Sequence, residues 1–386
     1  LNSNCAPGLD GITSEHLKYG KSDSLCSALA HLLSVILKWQ TVPSTFNTGL
    51  IIPVLKKPGL NTNDPSNFRP VTLSSVFSKL LEMVLLPADT VHCAQFGFRK
   101  ARGTAQACSL FNDVKCYFAH KKSPLFVCSL DAEKCFDSIW HKALFFKIHG
   151  KIPREHWLLL LRWYGNLEAT VRWRDRLSLR FRVTKGTRQG SILSPQLFNI
   201  FIDDLLRSLY DMPDRVCIGS TSLNSFAYAD DVTLLCTTSP GLQRLIDHCH
   251  EYATKWRFKF GIKKTKCMCI SGNRFKKSHQ FYLHGNEIEN VDELELLGMF
   301  FSAVSSNAHV EKRIEKCRRA FFSLRDSGMA YPGCASNVKA YLWKSVCHPV
   351  LLYGMECIPL SQRNKSSLYS AQGNLIKKSL GLHRSS

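Results

Sequence analysis

Apolar residues along this chain recur at two spacings, and the alternation between them outlines its elements. Leu25, Leu29, Leu32, Leu33, Ile36 and Leu37 follow the helical period up to Trp39, and Pro43 ends the run. Gly49 to Leu55 is an apolar strand that runs into the basic turn Lys56 to Gly59, Asn67 to Leu73 is a second extended piece, and Ser75 to Leu86 returns to helix. The run from Pro124 to Asp131 reads as a buried strand ending on a carboxylate, and Trp157 to Tyr164 as a helix. Arg172 to Arg182 alternates arginine with apolar residues, the pattern of a hairpin laid on a phosphate backbone. A glycine-containing loop, Gly186 to Ser191, enters a helix with Ser194 as N-cap and Pro195 as first residue. Phe198, Phe201, Ile202, Leu205 and Leu209 supply that helix's apolar face.

The stretch Phe226 to Leu235 carries the most chemistry. Its pattern predicts a strand, a tight turn and a returning strand, with Asp230 and Asp231 at the tip. Two adjacent carboxylates repel each other unless a divalent cation lies between them, and Mg²⁺ binds through one or two carboxylates plus substrate phosphates. Asp131, at its own strand end, completes a candidate three-carboxylate site. Further on, Leu242 to Phe258 reads as helix, Cys267 to Ile270 as strand after a basic turn containing Lys264, and Leu294 to Phe301 as another strand. Beyond Ser302 the pattern turns helical. Val310, Ile314, Cys317, Phe321 and Leu324 make one face, with Lys312, Arg313, Lys316, Arg318, Arg319 and Arg325 around it. Mixed strands and helices imply an α+β fold, with a boundary near 302–306.

Charge narrows the partner. Lys and Arg number 51 against 30 Asp and Glu, a net charge of +21, which favours a polyanion. Apolar stretches such as Trp157 to Leu161 and Val350 to Tyr353 fall far short of a membrane span, which leaves nucleic acid or an anionic membrane surface as the polyanion. From Ala94 to Thr104, Phe96 and Phe98 interleave with Arg99, Lys100 and Arg102, a mixture suited to phosphates and bases together. The 16 cysteines are scattered without zinc-ligand spacing, so they read as buried intracellular thiols. The chain opens at Leu1 inside a motif and is expected to be a piece of a longer polypeptide.

Taken in order, the motifs Ala6-Pro-Gly-Leu-Asp-Gly11, Phe68-Arg-Pro-Val-Thr-Leu73, Gln95-Phe-Gly-Phe-Arg99, Leu130-Asp-Ala-Glu-Lys-Cys-Phe-Asp137, Gly186-Thr-Arg-Gln-Gly-Ser191, Tyr228-Ala-Asp-Asp231, Lys264-Thr-Lys266 and Leu296-Leu-Gly298 resemble the reverse transcriptases of non-LTR (LINE-type) retrotransposons. The resemblance implies a right-hand polymerase fold with fingers, a palm on an antiparallel sheet, and a helical thumb. It divides the chain into 1–44 as an extension of the fingers, 45–302 as fingers and palm, and 303–386 as thumb. It further implies RNA-directed DNA synthesis, with an RNA template, a DNA primer or target, and dNTPs as partners. Asp131, Asp230 and Asp231 would hold two Mg²⁺ ions, with Mn²⁺ a possible substitute, and Lys264 would give a proton to pyrophosphate. Lys56 and Arg69 would hold the triphosphate, Gln189 and Gly190 would line the nucleotide, and Phe136 would block a ribose 2′-hydroxyl. Arg99, Arg102, Arg318 and Arg319 remain candidates for nucleic-acid contact. Gly261, where the family often has Asn, and Leu296, where an aromatic is common, depart from the pattern. A catalytically decayed or maturase-like RNA-binding protein is the alternative on the same fold. A nuclear location and an endonuclease upstream of Leu1 are further expectations.

Overall fold

In the computed structural model, every residue is described except 2, 271–278, 304, 306, 330, 332 and 383–386, so the expected boundary at 302–306 falls partly outside the described residues. Backbone contacts gather the chain into two units. One comprises Leu1–Arg99, Asp131–Asp211 and His248–Gly261; the other comprises Lys100–Leu130, Met212–Asp247 and Ile262–Ser386.

In the first unit, the apolar run becomes β1 (Thr48–Leu55), paired antiparallel with β2 (Phe68–Leu73), Val54 facing Arg69. On its other side β1 pairs parallel with β4 (Glu168–Trp173), Ile51 facing Val171. A parallel partner must come from far along the chain, because its connection has to cross back over the sheet. β5 (Arg176–Leu177) and β6 (Phe181–Arg182) both pair with β4, so the arginine-rich stretch is a hairpin as its alternation predicts. Directly paired residues share a face and neighbours alternate. Phe68 and Trp173 therefore meet on one side, rings edge-on at 5.2 Å, and Arg69 points to the opposite side.

The helix Ser194–Asp211 buries Leu197, Phe198, Phe201, Ile202, Leu205 and Leu209. Beside it, Lys147 of the helix His141–Ile148 is buried among the rings of Phe201, Tyr252 and Trp256, 4.0–4.5 Å from their centroids. Its ammonium donates to the Phe201 carbonyl and to Asp204 Oδ1, each at 2.8 Å. Burial brings its pKa down to about 8, against the pull of Asp204.

In the second unit the principal sheet orders the strands 289–290, 266–270, 125–131, 231–236 and 225–228 from one edge to the other. At its centre β3 (Leu125–Asp131) buries Leu125, Phe126, Val127, Cys128 and Leu130, because both sheet faces are covered there. β11 (Lys266–Ile270) pairs antiparallel with it, Cys267 facing Cys128, and β14 (Glu289–Asn290) lies outside β11. On the other side lie β10 (Asp231–Cys236) and β9 (Ser225–Tyr228). Phe111, from the helix Thr104–His120, packs against Phe226 of β9 and edge-on against Phe301 at 4.7 Å.

Two expectations are corrected in this unit. Leu294 to Phe301 is a hairpin rather than one strand: β15 (Glu293–Leu296) and β16 (Met299–Ser302) pair across Leu297 and Gly298. Both turn residues take positive φ, +50° and +79°, as a tight mirror-image turn requires. Arg313, expected among the solvated cations, is buried on the helix Ala308–Ser323 with its guanidinium 4.9 Å from the Tyr353 ring centre. It stands three residues after Val310 and four before Cys317, on the stripe that packs with Phe321, Trp343 and Leu351.

Among the described residues no disulfide links the cysteines. Among the described residues no helix is long and apolar enough to cross a membrane.

Candidate active site

In the first unit, Phe136 and Asp137 lie on the single-turn helix Cys135–Ser138, just beyond the end of β3. The Phe136 ring is half-buried, resting on Phe198 at 4.9 Å and meeting Phe98 edge-on at 6.1 Å. Asp137 Oδ1 accepts a hydrogen bond from Gln189 Nε2 at 2.8 Å. Burial raises the Asp137 carboxyl above its ordinary pKa, while that bond and the positive charges of Lys134, Lys56 and Arg69 pull it down. Gln189 thus bonds one carboxylate beside Phe136, and that carboxylate also feels the charges of Lys56 and Arg69, more than a hundred residues upstream of Gln189. Lys56 and Arg69 are exposed at the ends of β1 and β2, and Lys56 Nζ also donates to the Ser66 carbonyl at 2.8 Å.

The loop that brings Gln189 here is tied down on two sides. The Gly186 and Thr187 amides donate to the Ile139 and Phe136 carbonyls at 2.8 and 2.7 Å. The Gln189 carbonyl accepts from the Thr72 amide of β2 at 2.7 Å. Gly190 is at φ +107°, and a Cβ there would lie 2.8 Å from the Thr72 carbonyl oxygen, so conformation and space both demand glycine. The helix that follows is capped differently from the expectation. The Ser191 hydroxyl accepts from the Leu193 and Ser194 amides at 3.2 and 3.3 Å, and Ser194 is already the first helical residue.

In the second unit, Asp231 opens β10 directly opposite Tyr228 of β9, leaving Ala229 and Asp230 as a two-residue turn. Ala229 takes φ +57°, a conformation that costs a non-glycine residue roughly 1–2 kcal/mol. The aspartates thus stand at a strained hairpin tip. β3, ending at Asp131, is the strand next to β10 in the sheet.

Residues 55–301 match the family model for reverse transcriptase (RNA-dependent DNA polymerase). This chain belongs to that family. Among its relatives, the RNA-directed DNA polymerase from mobile element jockey of Drosophila funebris is 24% identical over 397 residues, covering 97% of this chain and 42% of the relative. The Pol polyprotein from the type-1 retrotransposable element R2 of Nasonia vitripennis is 25% identical over 312 residues, 77% of this chain and 30% of the relative. The resemblance to non-LTR retrotransposon reverse transcriptases is therefore borne out. This chain spans about two-fifths of the jockey relative's length. Among solved structures, apo telomerase from Candida tropicalis, truncated from its C-terminal domain, matches at 14% identity and a TM-score of 0.47, covering 73% of this chain and 59% of that one.

Reverse transcriptases generally use divalent metal ions, and the donors present suit a hard cation. Asp230 and Asp231 offer only oxygen at the hairpin tip in the second unit, and Asp131, which belongs to the first, offers the same at the end of β3. Among the described residues no three or more His, Cys, Asp or Glu side chains are gathered to hold an ion by themselves. Mg²⁺ is commonly held by one or two carboxylates, with water and substrate phosphate oxygens completing its shell. Lys264 is exposed in the turn before β11. Gly261, one of the departures from the family pattern, donates its amide to the Asp131 carbonyl at 2.8 Å.

Of the expected nucleic-acid contacts, Arg99 is committed to its own loop. Its guanidinium bonds Asp89 at 2.8 Å and the carbonyls of His92 and Gln95 at 2.9 and 3.1 Å. Arg102 is half-buried just before the helix Thr104–His120. Arg318 and Arg319 are exposed, and Arg319 pairs with Glu315 one turn back. Asp137 was missed as a site residue. Only its position next to Phe136 hinted at a role, since its partners come from distant segments.

Proposed function

We propose that this chain is an RNA-directed DNA polymerase that copies retrotransposon RNA into DNA by Mg²⁺-dependent nucleotidyl transfer. The observation that carries the reading is the Gln189–Asp137 hydrogen bond beside the half-buried Phe136, on a carboxylate that also feels the charges of Lys56 and Arg69, in a chain of this family. Asp131, Asp230 and Asp231 would hold the divalent ions, which would supply Lewis-acid activation of a hydroxyl nucleophile and neutralise charge at the transferred phosphoryl.

The side chains supply the rest. Arg69 and Lys56 bind the triphosphate oxygens as cations on exposed strand ends. Gln189 and the Gly190 backbone orient the nucleotide against the template, and the Phe136 ring lies under its sugar. Lys264 donates a proton to the departing pyrophosphate. The exposed arginines of the β4–β5–β6 hairpin, with Arg318 and Arg319, attract RNA template and DNA primer. On this reading the fingers fill most of the chain before about 125, the palm 125–302 and the thumb the remainder. The test is extension of a DNA primer on an RNA template by purified protein, with and without Mg²⁺. Metal-dependent DNA product supports the reading, and RNA binding without any product supports the decayed alternative.

A further inference from the structure

Behind the Gln189 loop, in the first unit, lie two buried charged side chains of opposite sign that none of the roles above uses. Glu82, on the helix Val76–Val84, is 3% exposed, and Arg188 is 8% exposed. Glu82 Oε2 accepts from the Ile192 amide at 2.8 Å, and Ser191 and the Leu193 amide nearby favour its charged form. Arg188 donates from Nη1 to the Phe46 carbonyl at 3.1 Å and from Nη2 to the Asn47 carbonyl, with its guanidinium 5.8 Å from the Trp163 ring centre. Burial raises the Glu82 carboxyl and lowers the Arg188 guanidinium, and each charge resists the other's neutralisation. The two line a cavity of ≈ 10 Å³ with Trp163, Tyr164, Leu167 and Leu193, the lower limit for a single water. Solvent has no room to replace either partner.

Buried charges are weak evidence of stability, since apolar residues of similar volume often do as well. Their placement says more. Arg188 fixes one end of a short loop to the entrance of β1, and Glu82 fixes the other end at Ile192. Between them are only Gln189, Gly190 and Ser191. The Gln189 carbonyl is held by Thr72 and its side-chain amide by Asp137, while Gly190 at φ +107° presses on the Thr72 carbonyl. With both ends fixed, Gln189 has one height above the Phe136–Asp137 segment.

We propose that Glu82 and Arg188 are positioning residues for the incoming nucleotide, clamping the loop that presents Gln189 and Gly190. This rests on the polymerase reading for its substrate, while the clamp itself is testable without it. Glu82→Met removes acceptor and charge at nearly constant volume, and Glu82→Met/Arg188→Met removes both charges.

Glu82→Met should raise the dNTP KM about tenfold with the primer–template Kd unchanged. Backbone amide exchange at Ile192 and Leu193 should accelerate in the same variant. KM does not depend on how much enzyme is folded, so reduced stability cannot mimic the first effect. In the double variant Tm should recover while KM stays raised. A wild-type KM in Glu82→Met, or a KM that returns with Tm in the double variant, would reduce the pair to ordinary core packing. Should wild-type protein extend no primer, the polymerase reading fails. Exchange still separates the outcomes for the clamp: faster at Ile192 and Leu193 upholds it, unchanged overturns it.

Discussion

Phe136→Val isolates sugar choice in one side chain. The ring is half-buried, supported by Phe198 at 4.9 Å and Phe98 at 6.1 Å, so part of its face is open. Truncating a fully buried Phe to Ala costs about 3–5 kcal/mol. A half-buried ring cut only to Val should cost about half that, which leaves a folded protein to assay. With the ring in place, a ribose 2′-hydroxyl would be pressed against carbon and lose its hydrogen bonds to water, a penalty of about 1–3 kcal/mol. At roughly 1.4 kcal/mol per tenfold, the variant should improve rNTP use relative to dNTP by about 5- to 140-fold. The assay is single-nucleotide incorporation, comparing kcat/KM for matched rNTP and dNTP in wild type and variant. A soluble, active Phe136→Val enzyme with wild-type discrimination would refute the argument and leave Phe136 as packing for Phe198.

Gly190→Ala should cripple nucleotide use, because its Cβ would fall 2.8 Å from the Thr72 carbonyl at a φ of +107°; a dNTP KM within twofold of wild type would contradict it. Lys147 makes a prediction about pH. Its folded pKa of about 8 lies below the unfolded value of 10.5, so between those values the unfolded chain binds more protons and Lys147's contribution to stability rises with pH. Denaturant titrations at pH 7.5 to 10.5 should show that rise in wild type relative to Lys147→Met, and parallel pH profiles would dismiss it. Replacing Arg318 and Arg319 by Ala should flatten the dependence of log K on log salt by about 0.7–0.9 for each phosphate they neutralise, as read by primer–template binding at several salt concentrations. An unchanged slope would assign those arginines to solvent.

Much of the scaffold was legible because it follows local periodicity. The apolar run into Asp131 is a strand with both faces covered, and the Phe226–Leu235 pattern folds back at Ala229 and Asp230. Where local pattern competes with a turn or a distant partner, the reading fails. Leu297 and Gly298 break an apolar run into a hairpin, and the glycine was the available sign. Arg313 sits on the buried stripe by spacing, yet a charge is ordinarily read as exposed. Arg99 lies in a basic, aromatic stretch suited to nucleic acid, but Asp89 and two carbonyls occupy it. Asp137's role and the Glu82–Arg188 clamp depend on residues brought together across fifty to over a hundred positions, which no window of sequence displays.

The central claim is that carboxylates at neighbouring strand ends support metal-dependent DNA synthesis. It is tested most directly by single-turnover primer extension on an RNA template with wild type, Asp230→Asn and Asp131→Asn, each in Mg²⁺ and in EDTA. These nearly isosteric changes remove the charge while keeping the shape of the Ala229–Asp230 turn and the β3 terminus. The account predicts extension by wild type only with metal, and none by either variant at matched folded concentration and primer–template binding. Near-wild-type extension by either variant, or product formed in EDTA, would contradict it.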